Sequence, residues 1–154
     1  AISNAIAACA TQVSITAQHD ETRFDKELVL KIQDNGVGMN THDLASFFNL
    51  GDSRWLERAT DRPCERPAIG YKGHGTKIYL KSRLIEVDTR SPYQHILAQM
   101  GQPWEKLYQG ELPTYDYDYE DANNEETGTS IVIRGFNQNQ DKDFAHKILK
   151  DYIQ

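Results

Sequence analysis

At Leu28, Leu30 and Ile32 apolar residues recur at every second position, and after Gln33 the run passes directly into Asp34-Asn35-Gly36-Val37-Gly38-Met39. A period of two marks a half-buried strand. Two glycines one residue apart let the backbone turn sharply and approach another group closely. The chain therefore places a carboxylate and a tight loop at the end of a strand. Asp-Asn-Gly is also ordinary turn chemistry. A calcium loop would need further acids at alternate positions and a Glu at the twelfth. Those places hold Gly36, Gly38 and Ala45, which argues against calcium.

Other elements arrange themselves around this loop. Ala1–Ala10 reads as an alanine-rich helix with an apolar stripe at Ile2, Ala5, Ile6 and Cys9; Asn4 and Ala8, four apart, share another face. Val13, Ile15 and Ala17 alternate as a strand, and 19–25 is a polar turn. Asn40 or Thr41 caps a short helix over 43–49. Residues 50–69 carry two prolines and no period, and read as a loop or lid. A second glycine loop, Gly70–Lys77, opens a helix that continues over 78–83. Ile85, Val87 and Thr89 mark a third strand. Residues 93–108 read as mostly helical, interrupted by Gly101 and Pro103. The tyrosine-rich, acidic stretch 112–126 has an ambiguous period. Ile131 and Ile133 mark a fourth strand within 128–136, and 141–152 reads as a closing helix. This order predicts an α+β fold, a two-layer α/β sandwich in which a mixed, mostly antiparallel sheet is covered by helices on one face.

The chain has 154 residues, enough for one domain with a real core. Its net charge of −6 argues against whole-domain nucleic-acid binding, which usually needs a basic face. Cys9 and Cys64 are too few for a disulfide framework and match no zinc spacing; Cys9 reads as a small core residue, and a reducing, cytoplasmic setting is the simplest expectation. No apolar run approaches membrane-spanning length. The chain begins inside a helical pattern without an initiator Met, so a fragment of a larger protein is expected.

Three places carry chemistry. Asp34, at its strand end, can accept a hydrogen bond from an exocyclic amine such as that of adenine. Gly70, Gly73 and Gly75 free backbone N–H groups to face an anion at a helix start, and Lys72, Thr76 and Lys77 add donors. This is neither a P-loop, which needs Gly-Lys-Ser/Thr, nor a dinucleotide fingerprint. His74, between two glycines, reads as a phosphate contact or a solvent-facing residue rather than a catalyst. The Asn4 oxygen suits a hard cation such as Mg²⁺, and Ala8 leaves room for a flat base.

Taken together and in this order, these pieces resemble the superfamily of gyrase, ninety-kilodalton heat-shock chaperone, histidine kinase and MutL ATPases (GHKL), with its Bergerat fold. Ile2-Ser3-Asn4-Ala5 looks like the family's N box. Asp34–Met39 looks like its adenine-binding glycine box, and Gly70–Lys77 like its phosphate-gripping one. Gly128-Thr129 looks like the threonine strand beneath the adenine. Leu50-Gly51-Asp52-Ser53-Arg54 looks like the Gly-x-Ser-basic stretch of the MORC and MutL-like branches, and Thr76-Lys77 departs from the hydrophobic and small residues usual there in histidine kinases, so the resemblance favours a MORC- or chaperone-like ATPase over a kinase. The resemblance implies ATP and Mg²⁺ as ligands, with Asn4 on the metal and Ala8, Asp34, Gly36, Gly38, Met39, Gly70, Lys72, Gly73, His74, Gly75, Thr76, Lys77 and Thr129 around the nucleotide. It also implies slow ATP hydrolysis that works as a switch, an ATP-dependent homodimer, and a DNA or protein client reached through other regions. No membrane partner is expected. The family's catalytic Glu lies four residues before the N-box Asn, just before Ala1. An Asp that many members carry three residues after that Asn is Ala7 here. A non-hydrolysing nucleotide sensor or a histidine-kinase catalytic domain are the alternative readings.

Overall fold

The computed structural model describes residues 2–22, 26–49 and 77–139. Within them lie α1 (Ile2–Ala7), β1 (Val13–Asp20), β2 (Glu27–Asp34), α2 (Thr41–Phe48), β3 (Leu84–Arg90), β4 (Gln94–Gly101), α3 (Pro103–Tyr108), β5 (Asp116–Asp121) and β6 (Gly128–Arg134). The strands form one sheet in the order β1-β2-β6-β3-β4-β5, with every neighbouring pair antiparallel. The α+β architecture matches expectation, although the sheet of the described residues is antiparallel throughout rather than mixed.

Register explains the core. Ile32 faces Ile131, and Ile131 faces Val87; Leu30 faces Ile133, and Ile133 faces Ile85. Val87 and Ile85 continue the rows to Ala98 and Met100 on β4. Because side chains alternate between faces, these residues share one apolar face. Leu44 and Phe48 of α2 are buried against it with Tyr79 and Leu80. Glu86, Asp88, Lys31 and Arg134 fall on the opposite, half-exposed face, where the Arg134 Nε–Glu86 Oε2 ion pair is 2.8 Å.

Several expectations need correction. Residues 93–108 are not mostly helical: β4 takes 94–101, and only Pro103–Tyr108 is helix. Ile96, Ala98 and Met100 fill the row beside β3, and that burial outweighs the helix propensity of Ala, Gln and Met. Gly101 ends the strand and Pro103 opens the helix at a position where its missing N–H costs nothing. Residues 77–80 form a 3₁₀ turn, not the start of a helix reaching 83. The ambiguous stretch 112–126 contains β5. Cys9 is half-buried and disulfide-bonded rather than a small core residue. No helix of the described residues is long and apolar enough to cross a membrane. The expected lid at 50–69, the stretch 50–54 and the helix at 141–152 lie outside the described residues.

Candidate functional site

β2 delivers Asp34 onto the core-side face, because Asp34 continues the alternation of Leu30 and Ile32. Asp34 lies opposite Thr129 on β6, and Thr129 lies opposite Thr89 on β3. Three polar residues therefore end the apolar face where three central strands meet. Thr129 and Thr89 are buried and their hydroxyl oxygens are 3.0 Å apart. Burial pushes the half-buried Asp34 carboxyl above its ordinary value of 3.8, opposed by hydrogen bonds from the backbone of Gly36 and Thr129. A buried-face carboxylate with a raised pKa at a strand end is a functional-site signal.

The glycine loop wraps this row tightly. Gly36 N donates to Asp34 Oδ1 at 2.9 Å, closing a turn on the carboxylate itself. A Cβ on Gly36 would lie 2.6 Å from the Ala8 carbonyl oxygen and 2.8 Å from Ala8 Cβ, so the contact demands glycine. Gly38, at φ +69°, packs against the Arg90 carbonyl, where a side chain would collide. Met39 N then donates to Thr89 Oγ1 at 2.8 Å. Met39 is half-buried against the core.

α1 docks on the same loop. Val37 N donates to the Ala8 carbonyl at 2.9 Å. The Asn35 Oδ1 accepts from the N–H groups of Thr11 (2.9 Å) and Gln12 (2.8 Å), which ties the segment after α1 to the loop. Thr127 Oγ1 donates to the Gly36 carbonyl at 2.7 Å. Asn4 is half-buried one turn before Ala8, and its carboxamide makes no hydrogen bond among the described residues.

Of the residues expected at the site, Ala8, Asp34, Gly36, Gly38, Met39 and Thr129 are brought together. Asn4 lies on the adjoining helix. Lys77 is half-buried at the start of the 3₁₀ turn. Gly70, Lys72, Gly73, His74, Gly75 and Thr76 lie outside the described residues. Thr89, Asn35 and Thr127 were not singled out. Thr89 was legible as a strand residue, but its place beside Met39 and Thr129 depends on which strands pair. Asn35 was read only as turn chemistry, whereas its side chain bridges two segments distant in sequence.

These residues suit the adenine half of ATP. Asp34 supplies an acceptor, Thr129 and Thr89 supply hydroxyls beside it, and the small Ala8 and Gly36 stand against one another without bulky side chains. Among the described residues no group of three or more His, Cys, Asp or Glu side chains is arranged to hold a metal. A cation here would take its protein oxygen from Asn4 and the rest from phosphate and water, the pattern Mg²⁺ favours.

Comparison with known proteins agrees with this geometry. The family model described as histidine kinase-, DNA gyrase B- and HSP90-like ATPase matches residues 1–102, a span that runs from α1 through the glycine loop to the end of β4. No curated protein sequence matches the chain. With the family model covering most of its length and the Asp34 loop built as described, the chain belongs to the family of histidine kinase-, DNA gyrase B- and HSP90-like ATPases and is an ATP-binding domain.

Proposed function

We propose that the domain binds Mg-ATP and hydrolyses it slowly, as a conformational switch of the MORC- or chaperone-like kind. The observation that carries this reading is the row Asp34–Thr129–Thr89 enclosed by the Gly36–Ala8 contact. Asp34 accepts the adenine amine, and Thr129 and Thr89 form the polar floor beside it. Ala8 and Gly36, packed on one another, keep bulky side chains away from the flat ring beside them. Met39 closes its apolar side. Asn4 holds the metal through its side-chain oxygen. By sequence, the N–H groups of Gly70, Gly73, His74 and Gly75, with Lys72, Thr76 and Lys77, grip the phosphates. Bound Mg²⁺ neutralises phosphate charge as it develops. The general base is a glutamate expected four positions before Asn4. Nucleotide binding then favours pairing of two ATPase domains, and the output is exerted on DNA or on a protein client.

Calorimetric titration with ATP tests the adenine assignment. Asp34→Asn places an N–H₂ donor where an acceptor is required, and ATP affinity is expected to fall at least about tenfold. Unchanged affinity would overturn the assignment. In the same experiment Lys77→Ala weakens ATP more than adenosine, because only ATP loses a phosphate contact. ATP binding without phosphate release would favour a nucleotide sensor over an ATPase.

A further inference from the structure

β5 closes one edge of the sheet, and among the described residues no strand lies beyond it. An edge strand turns backbone N–H and C=O groups outward, a template for another extended chain. Natural edges are commonly blunted by charged side chains, lysine above all, by proline or by a bulge. β5 has no proline or bulge and its charges are all acidic, a guard against like-charged strands only: Asp116-Tyr117-Asp118-Tyr119-Glu120-Asp121 pairs in unbroken register with β4, from Asp116 opposite Gln99 to Asp121 opposite Gln94. Every residue of the strand is exposed.

From Tyr115 to Glu120 the two faces of this edge are chemically sorted, and Asp121 at the strand end is the one acid on the tyrosine side. On one, the rings of Tyr115, Tyr117 and Tyr119 follow one another with centroids 6.0 and 6.3 Å apart, and Tyr115 is anchored by stacking on Phe48 at 4.4 Å. Tyr117 and Tyr119 remain 46% and 57% exposed. On the other face lie Asp116, Asp118 and Glu120. Glu120 meets His95 Nδ1 at 3.2 Å, whereas Asp116, Asp118 and Asp121 have no ion-pair partner among the described residues. A second copy of β5 would set acid against acid, so the edge is unsuited to pairing with itself. The same uncompensated charge favours a basic partner.

We propose that β5 is a docking edge for an extended peptide that alternates basic and apolar residues, added as a further strand of the sheet. Strand geometry places alternate residues of such a peptide on opposite faces. Its basic side chains meet Asp116, Asp118 and Glu120 while its apolar ones cover Tyr117 and Tyr119. Backbone pairing supplies the affinity, and the sorted faces supply the selectivity. This role does not depend on nucleotide binding.

Titration of the intact chain with a synthetic peptide of alternating lysine and valine, with amide hydrogen exchange followed by NMR, tests the proposal. Saturable binding that slows exchange within 116–121 is expected. The same peptide with a central valine replaced by proline, which lacks the backbone donor, binds at least about tenfold more weakly. A glutamate–valine peptide does not bind. Combining Asp116→Lys with Asp118→Lys, both on the exposed face, reverses the preference between the two peptides. Equal binding of the proline peptide, or binding without slowed exchange in β5, would reduce the edge to a nonspecific acidic patch and overturn the proposal. No binding of the lysine peptide at low salt would overturn it too. Slowed exchange that depends on protein concentration alone would assign the edge to a second copy of the chain instead.

Discussion

Burial raises the Asp34 pKa above 3.8, so the unliganded fold resists ionising the group that a nucleotide amine would use. The direction of the stability effect follows. Below pH 3.8 the carboxyl is protonated in both folded and unfolded chains and costs nothing. As pH rises through the folded value, the unfolded chain has already ionised, and the folded state loses stability relative to it. Asp34→Asn keeps an acceptor for Gly36 N without the charge. Its melting temperature at neutral pH is therefore expected to equal or exceed that of the parent, with the difference shrinking as pH falls toward 3.8. ATP affinity of the parent should fall over the same range as the acceptor becomes protonated. Thermal denaturation and calorimetry across pH check the two trends. Tyr79 shows a second cost of burial. Its hydroxyl is buried without a hydrogen-bond partner among the described residues, and burial pushes its pKa up to about 12. Tyr79→Phe removes the orphaned hydroxyl and keeps the ring beside Phe47, so it should stabilise the fold by about 1 kcal/mol, read as a higher urea midpoint.

α2 depends on its first turn. Asn40 Oδ1 accepts from Asp43 N at 2.9 Å, and Asp43 Oδ2 accepts from Asn40 N at 3.3 Å, a reciprocal capping box. The helix then places Leu44 and Phe48 against the sheet. Asn40→Ala should destabilise the domain by about 1 kcal/mol, measured by chemical denaturation, because it orphans an N–H at the helix start. The expected cap, Asn40 or Thr41, and the helix were legible because capping chemistry is local. β4 was not. Its residues suit a helix as well as a strand, and only the rows Ile85–Met100 and Val87–Ala98 select the strand. β5 alternates acid and tyrosine from Asp116 to Glu120, but every residue of it is exposed, so no buried row marks it as a strand.

Across the whole molecule, the sheet should show a gradient of local stability. β2, β6 and β3 are central and bury Leu28, Ile85 and Ile133 almost completely, whereas β1 and β5 are the edges among the described strands. Native-state hydrogen exchange is expected to be slowest in β6 and fastest in β1 and β5. Uniform protection across all strands would contradict this ordering. The sequence by itself determined the α+β class and the Asp34 loop, and the family resemblance added Asn4 and Thr129 as candidate ligand residues. The first two rest on local chemistry: a two-residue period, glycines that allow close approach, a carboxylate at a strand end. Tertiary structure alone decided that β6, last of the described strands, lies between β2 and β3. That placement joins Asp34, Thr129 and Thr89 into one row and gives Met39 N its acceptor. It also leaves β5 at an edge of the sheet among the described residues. The physical reason is that strand pairing is a long-range choice made by burial, since only this order joins the apolar faces of the central strands into one core.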